Sequence, residues 1–213
     1  MSDTTERSPP TAVSQKRVLH VGCGHLTIAQ MTPGFRDGTW EEVRFDLDPN
    51  VSPDIIGTIT DMGAVADASV DAIYSSHNIE HVETFQVVQT LKEFHRVLNN
   101  DGFAAITCPD IESIASVIVE GRLDEPLYVS TAGPISPLDV IYGFGADIAR
   151  GRHYMAHRTA FTRVTLQNRI QEAGFASVII ARRPSQFDLW AVATKSPTPE
   201  ARLREMLQTY GLR

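Results

Sequence analysis

Short apolar runs alternate with amphipathic stretches along most of the chain. Arg17-Val18-Leu19-His20-Val21-Gly22 is an apolar run ending in glycine, the pattern of a buried strand. Val43-Arg44-Phe45-Asp46-Leu47 predicts a second strand, stopped by Asp48-Pro49-Asn50, and Asp54 to Thr58 a weaker third. Val70 to Ser75 and Phe103 to Cys108 predict a fourth and a fifth. Between these two, Val87, Val88, Leu91, Phe94, His95 and Leu98 recur at three- and four-residue spacing, so an amphipathic helix runs to Asn99-Asn100-Asp101-Gly102. Residues 110–120 read as another helix. Thr162 caps a third that runs through Ala173 to Gly174. Ala176 to Ala181 and Leu189 to Thr194 predict a closing strand pair around Pro184-Ser185, and 198–210 a last helix. Strands alternating with helices imply an α/β fold with a mainly parallel sheet, and the closing pair implies an antiparallel edge.

Two stretches break the rhythm. Residues 1–15 are rich in Ser, Thr and Pro and read as a disordered leader. Residues 121–158 are rich in Gly and Pro and carry Tyr128, Tyr142, Phe144 and Tyr154. They predict a long insertion at the domain edge, and ordered loops of that length usually serve function. The remaining 16–213 form one domain, consistent with a 213-residue chain. The net charge of −7, with no basic run, argues against nucleic acid and anionic membranes as partners. Two cysteines lack disulfide or metal spacing. No segment looks like a signal peptide or a membrane span, so a cytoplasmic protein is the expectation.

Four positions carry candidate chemistry. The first strand runs into Gly22-Cys23-Gly24, a turn that lets a ligand approach the backbone closely, although a plain glycine turn is an equal alternative. Asp46 follows at the ribose-binding offset of about 20 residues, where a carboxylate can accept from both sugar hydroxyls. Asp48 competes with it. Asp61 could accept from an adenine amino group with Met62 on the ring, but by itself it reads more readily as the cap of a helix over 62–66, a role compatible with the first. Ser76-His77-Asn78-Ile79-Glu80-His81 follows the fourth strand, where open parallel sheets bind ligands. His81 reads there as a structural residue.

The series His20-Val21-Gly22-Cys23-Gly24, Phe45 to Pro49, Val70 to His81, Leu91 to Leu98 with Asp101-Gly102, and His157 to Thr162 with Ala173-Gly174-Phe175 resembles class I S-adenosylmethionine-dependent methyltransferases of the type 11 kind. The resemblance covers roughly residues 16–195. It implies a Rossmann-like, doubly wound seven-stranded sheet in the order 3-2-1-4-5-7-6, with S-adenosylmethionine over strands one, two and four. Gly22, Cys23 and Gly24 would then touch the methionine part, Asp46 the ribose, and Asp61 and Met62 the adenine, while Ser76 and His77 border the methyl group. The family usually has an acid where His20 stands and a further glycine at Leu26.

An in-line methyl transfer needs alignment more than a base, and a hydroxyl acceptor would use one. His77 is the first candidate and His157 the second. Asn78, Tyr142, Phe144 and Arg158 are expected at a small-molecule acceptor, under the 121–158 insertion acting as a lid, with Arg150, Arg152 and His153 as further basic groups. A homodimer is a further expectation; a metal is not. Two rivals remain: a protein that binds the cofactor without catalysis, and a zinc hydrolase built on His77-x-x-Glu80-His81, which needs both histidines on one helix and a third ligand. A dinucleotide enzyme is disfavoured by Thr27 at its third glycine position.

Overall fold

The computed structural model describes residues 15–130 and 132–211. The leader expected over 1–15 falls almost wholly outside them. The strands are β1 (Lys16–Val21), β2 (Trp40–Asp46), β3 (Ile55–Ile56), β4 (Val70–Ser76), β5 (Leu98–Pro109), β6 (Tyr128–Ser130), β7 (Gly133–Ile135), β8 (Ser177–Arg183) and β9 (Asp188–Thr194). Seven form one sheet in the order β3-β2-β1-β4-β5-β9-β8, and β6-β7 is a separate hairpin. With the hairpin set aside, this is the 3-2-1-4-5-7-6 order. β1 to β5 are parallel, and only β9 runs against its neighbours, so the reversed strand is second from the edge.

Side chains alternate across a strand, so the sheet has two apolar faces. Leu19, Val21, Ala104, Ile106, Leu189 and Ala191 share one core with Leu91 and Phe94 of α1 (Val87–Val97) and Leu166 and Ile170 of α5 (Arg163–Glu172). Val18, Phe103, Trp190 and Val192 share the other with Met31, Phe35 and the C-terminal Met206 and Leu207. Both faces are covered, which is why the strands read as continuous apolar runs rather than strict alternations.

Helix signals mostly act as read. In α1 the buried positions Val87, Thr90, Leu91, Phe94 and Val97 form one stripe, and His95 and Arg96 sit favourably in its last turn. Thr162 caps α5, accepting from the Thr165 N–H at 3.1 Å, and Gly174 ends it at φ +104°. α1 stops at Val97, earlier than expected, and Leu98 to Gly102 instead open β5 through an irregularity in its pairing with β4.

Two expectations change, at residues 62–66 and in the insertion. No helix forms over 62–66: Val65 N–H closes a turn on the Met62 carbonyl, and Asp61 accepts from Gly63 N–H at 3.1 Å. The β1–β2 crossover holds only 3-10 turns at Ile28–Gln30 and Pro33–Phe35, because proline and glycine leave no room for a longer helix. The insertion is not an irregular loop. It follows α2 (Ile111–Val119) and contains the β6-β7 hairpin, α3 (Pro137–Tyr142), α4 (Gly145–Ala149) and a 3-10 turn at His153–Met155; α6 (Glu200–Met206) ends the fold. No described helix is long and apolar enough to cross a membrane.

Candidate functional site

β1 ends in a turn that only glycine makes comfortably. Gly22 has φ +62° and Gly24 φ +52°. A Cβ on Gly22 would lie 2.6 Å from the Asn78 side chain, whereas one on Gly24 would meet nothing within 4 Å. The turn is therefore packed on one side and open on the other. Gly24 N–H donates to Asp46 Oδ2 at 2.8 Å and Asp48 N–H to Asp46 Oδ1 at 2.9 Å, so the Asp46 carboxylate is fixed at the tip of β2. Each oxygen keeps acceptor capacity for a ligand hydroxyl. Asp48 is occupied otherwise, accepting from Asn50 N–H at 2.9 Å and from the Tyr154 hydroxyl at 2.9 Å. Arg44 ties the two loops together through the carbonyls of Gly24 and Val51.

These tips line a cleft of about 750 Å³ across the carboxyl ends of β1 to β4. Its walls are Gly22 to Leu26, Phe45 to Asp48, Gly57 to Thr60, and His77 and Asn78, with Val82, Glu83, Asp147, Arg152, Tyr154, Met155 and Arg158 opposite. A second cavity of about 150 Å³ shares His77, His81 and Met155 with the cleft and adds Glu80, Tyr128, Asp139, Val140, Phe144, His157 and Phe187.

His77 stands between the two cavities. Its φ is +50°, a costly conformation for a side-chain-bearing residue, held by its N–H on the Thr107 carbonyl at 3.0 Å. Its ring keeps 47 % of its side-chain surface exposed, and Nδ1 lies 3.3 Å from Glu80 Oε1. Crowding by protein opposes charging the ring, but the Glu80 carboxylate outweighs it and holds His77 above the usual histidine range. His157 is pushed the other way, chiefly by burial. The Cys23 thiol is raised to about 11, again mainly by burial.

The sequence candidates separate accordingly. Gly22, Cys23, Gly24, Asp46, His77, Asn78 and Arg158 meet at the cleft, and His157 and Phe144 lie in the smaller cavity. Met62 does not reach the cleft: it is fully buried in the core, so it cannot pack on an adenine ring. Asp61 and Ser76 also lie outside the lining, Asp61 exposed and turned toward Gly63, Ser76 half-buried at the end of β4. Tyr142 is 64 % exposed and lines neither cavity, because α3 turns it outward. Arg158 pairs with Glu83 at 2.9 Å, and Arg150 and Arg152 pair with Asp147. His153 is exposed and outside both cavities.

Sequence reading missed Tyr154 and Met155, Thr58 to Thr60, and Glu42. Glu42 takes up the role left by the unusual His20: it accepts from Ile28 N–H at 2.8 Å and meets His20 Nδ1 at 2.7 Å. A carboxylate thus still anchors the loop after β1, delivered from β2. The zinc-hydrolase arrangement is not formed, since His77 sits on a loop and His81 on the following 3-10 turn Ile79–His81.

The donor set also fits an adenosyl ligand. The Asn78 Nδ2, buried beside Gly22, has no hydrogen-bond partner and is free for the polar end of such a molecule. Residues 19–106 match the family model described as a methyltransferase domain. The citrinin polyketide synthase CMeT domain superposes with a TM-score of 0.56 at 15% identity, over 86% of this chain and 47% of that one. A SAM-dependent methyltransferase from Archaeoglobus fulgidus gives 0.53 at 14%, over 84% and 86%. Burkholderia thailandensis 1,6-didemethyltoxoflavin-N1-methyltransferase, with 1,6-didemethyltoxoflavin and S-adenosylhomocysteine bound, gives 0.51 at 16%, over 86% and 72%. No curated protein sequence matches the chain. Residues 19–106 thus match a methyltransferase domain, and the chain has the Rossmann-like fold of the solved methyltransferases on which it superposes.

Proposed function

We propose that the chain is an S-adenosylmethionine-dependent methyltransferase that methylates an oxygen or nitrogen of a small-molecule acceptor held in the 150 Å³ cavity beside the larger cleft. The observation that carries the reading is the shared wall: His77, His81 and Met155 border both spaces, so a nucleophile in the smaller one faces the methyl end of a ligand in the larger. The smaller cavity is narrow and partly aromatic, through Tyr128, Phe144 and Phe187, which suits a compact ring rather than a polymer. The net charge of −7 also disfavours a nucleic-acid acceptor.

The bound cofactor supplies a sulfonium methyl group with its leaving group already attached. The chain's residues position and desolvate. In this reading Asp46 accepts from the ribose hydroxyls, and Asn78 with the Gly22–Gly24 turn holds the amino-acid end. Leu47, 49 % exposed in the cleft, offers adenine the apolar face that Met62 does not. His77 takes the proton of a hydroxyl acceptor, with Glu80 beside it to stabilise the imidazolium.

Calorimetry with S-adenosylhomocysteine tests the cofactor half. Asp46→Asn should weaken binding about 10- to 100-fold, equivalent to roughly 1.4–2.8 kcal/mol. Unchanged affinity in that variant would remove Asp46 from the ribose site. Isotopic methyl transfer to a panel of phenols and small amines tests the other half. On any acceptor found, His77→Ala should lower turnover by about 10²–10⁴ if the acceptor is a hydroxyl, with homocysteine-ligand affinity changed far less.

A further inference from the structure

Beneath His77 lies a carboxylate whose one close cationic neighbour among the described residues is that ring. Glu80 is 1 % exposed, and neither of its oxygens has a hydrogen-bond partner. The approach of His77 Nδ1 at 3.3 Å lacks hydrogen-bond alignment. Burying an ionised carboxylate is costly, and a half-exposed imidazole approaching one oxygen without alignment offsets only part of that cost, so the site has room for a second cation.

Two further imidazoles converge on it. One ligand atom each from Glu80, His81 and His157 lie within 4.8 Å of one another. The His81 and His157 rings are 4.8 Å apart between centroids. His81 Nδ1 lies 3.2 Å from the Ala156 carbonyl and His157 Nδ1 2.7 Å from the Val140 carbonyl. A carbonyl can only accept, so each ring carries its proton on Nδ1 and leaves the Nε2 lone pair for another partner. Imidazoles oriented by a backbone carbonyl on the far nitrogen are the usual support of metal-ligating histidines. The frame is also tied together: Arg158 N–H and Thr159 N–H both donate to the Glu80 carbonyl, and His157 N–H to that of Tyr142.

We infer that Glu80, His81 and His157 bind one divalent transition-metal ion of the zinc type. Two imidazole nitrogens and one carboxylate oxygen suit zinc and its neighbours, whereas magnesium and calcium prefer oxygen donors throughout. Tetrahedral ligands about 2.1 Å from zinc stand roughly 3.4 Å apart, so donor atoms now within 4.8 Å of one another would draw together around the ion. Three protein ligands leave a fourth position, and Glu80, His81 and His157 all line the smaller cavity. The ion would there meet an oxygen or nitrogen of whatever occupies that cavity. His77 is not a ligand in this arrangement.

Tag-free, chelator-stripped full-length protein titrated with zinc chloride by calorimetry decides the matter without acceptor or cofactor. Saturable uptake of one equivalent is expected. His157→Ala and Glu80→Gln should each weaken it by more than the roughly tenfold that disturbing even an outer partner costs. His153→Ala, an exposed histidine outside both cavities, should leave it unchanged. Failure of the wild type to take up zinc overturns the site, as does full affinity in His157→Ala. If Glu80→Gln does not fold, His157→Ala still decides. S-adenosylhomocysteine titrated into the same wild-type sample reads the cofactor cleft separately, so loss of one site is not mistaken for loss of the other.

Discussion

Gly22 combines a φ of +62° with a neighbour 2.6 Å from where a Cβ would stand, so two separate penalties fall on any side chain there. Gly22→Ala should cost about 1–3 kcal/mol in chemical denaturation. It should also weaken S-adenosylhomocysteine binding, because Asn78 must move; a variant with wild-type affinity would show that the turn tolerates the shift. One residue on, Cys23 is buried and its thiol is raised to about 11, and burial also pushes the Cys108 thiol well up. Thiolate is the reactive form, so both should resist alkylation at pH 8 in the folded protein and react in denaturant, as mass spectrometry would show. A fast-reacting thiol in the native state contradicts that placement. Gly22, Gly24 and Asp46 were legible in the sequence because they stand at the carboxyl ends of two strands that their apolar runs mark, β1 and β2. Met62 was misplaced because a turn, not a helix, sets where its side chain goes. The convergence of Glu80 with His157 was illegible, since the two meet only through the return of the insertion.

Among the elements, the strands were legible from their apolar runs, and α1 and α5 from periodicity and caps. The insertion's hairpin and short helices were not, because three-residue strands and six-residue helices carry too little pattern. Also hidden was the clamp on the loop between β3 and β4. Glu93 of α1 accepts from Met62 N–H at 2.8 Å and pairs with Arg96, which donates to the Val65 and Met62 carbonyls at 2.9 and 3.0 Å. That loop supplies the Thr58 to Thr60 wall of the cleft. Arg96→Ala should therefore cost about 1.5–3 kcal/mol, the range for hydrogen bonds to charged groups, with partial exposure favouring the low end. It should also weaken cofactor binding by a few-fold. The Arg96 guanidinium is the main reason the Glu93 carboxyl sits below its usual range. A carboxyl with a depressed folded value contributes fully above its unfolded value and loses that contribution as pH falls through the depressed one. The stability gap between wild type and Arg96→Ala, followed by urea midpoints, should accordingly narrow in acid. A gap independent of pH would mean that Glu93 is not the group being stabilised.

The sheet and its two cores form a rigid base, and the insertion of residues 121–158 spans from the end of α2 back to the start of α5 over both cavities. Its ties to the base include Tyr154 on Asp48 at 2.9 Å, Arg158 on Glu83 at 2.9 Å, His81 on the Ala156 carbonyl at 3.2 Å, and the backbone clamp on Glu80. Asp48 lies two residues past Asp46, so the Tyr154 tie joins the insertion to the loop that would carry the ribose. Anything that fills the cleft therefore favours the docked insertion and opposes its opening, in proportion to its differential affinity for the two states. Trypsin reads this equilibrium directly, because Arg150 and Arg152 expose 69 % and 44 % of their side chains. With S-adenosylhomocysteine at 100 times its Kd, cutting there should slow by up to about 100-fold, or 2.7 kcal/mol, if cleavage requires a form that cannot bind. Tyr154→Phe removes the hydroxyl that reaches Asp48 while leaving the ring to pack. It should therefore cleave faster than wild type without ligand and gain less protection when ligand is added. Equal cutting with and without ligand would mean that the insertion is docked independently of the cofactor, and that it serves the acceptor cavity alone.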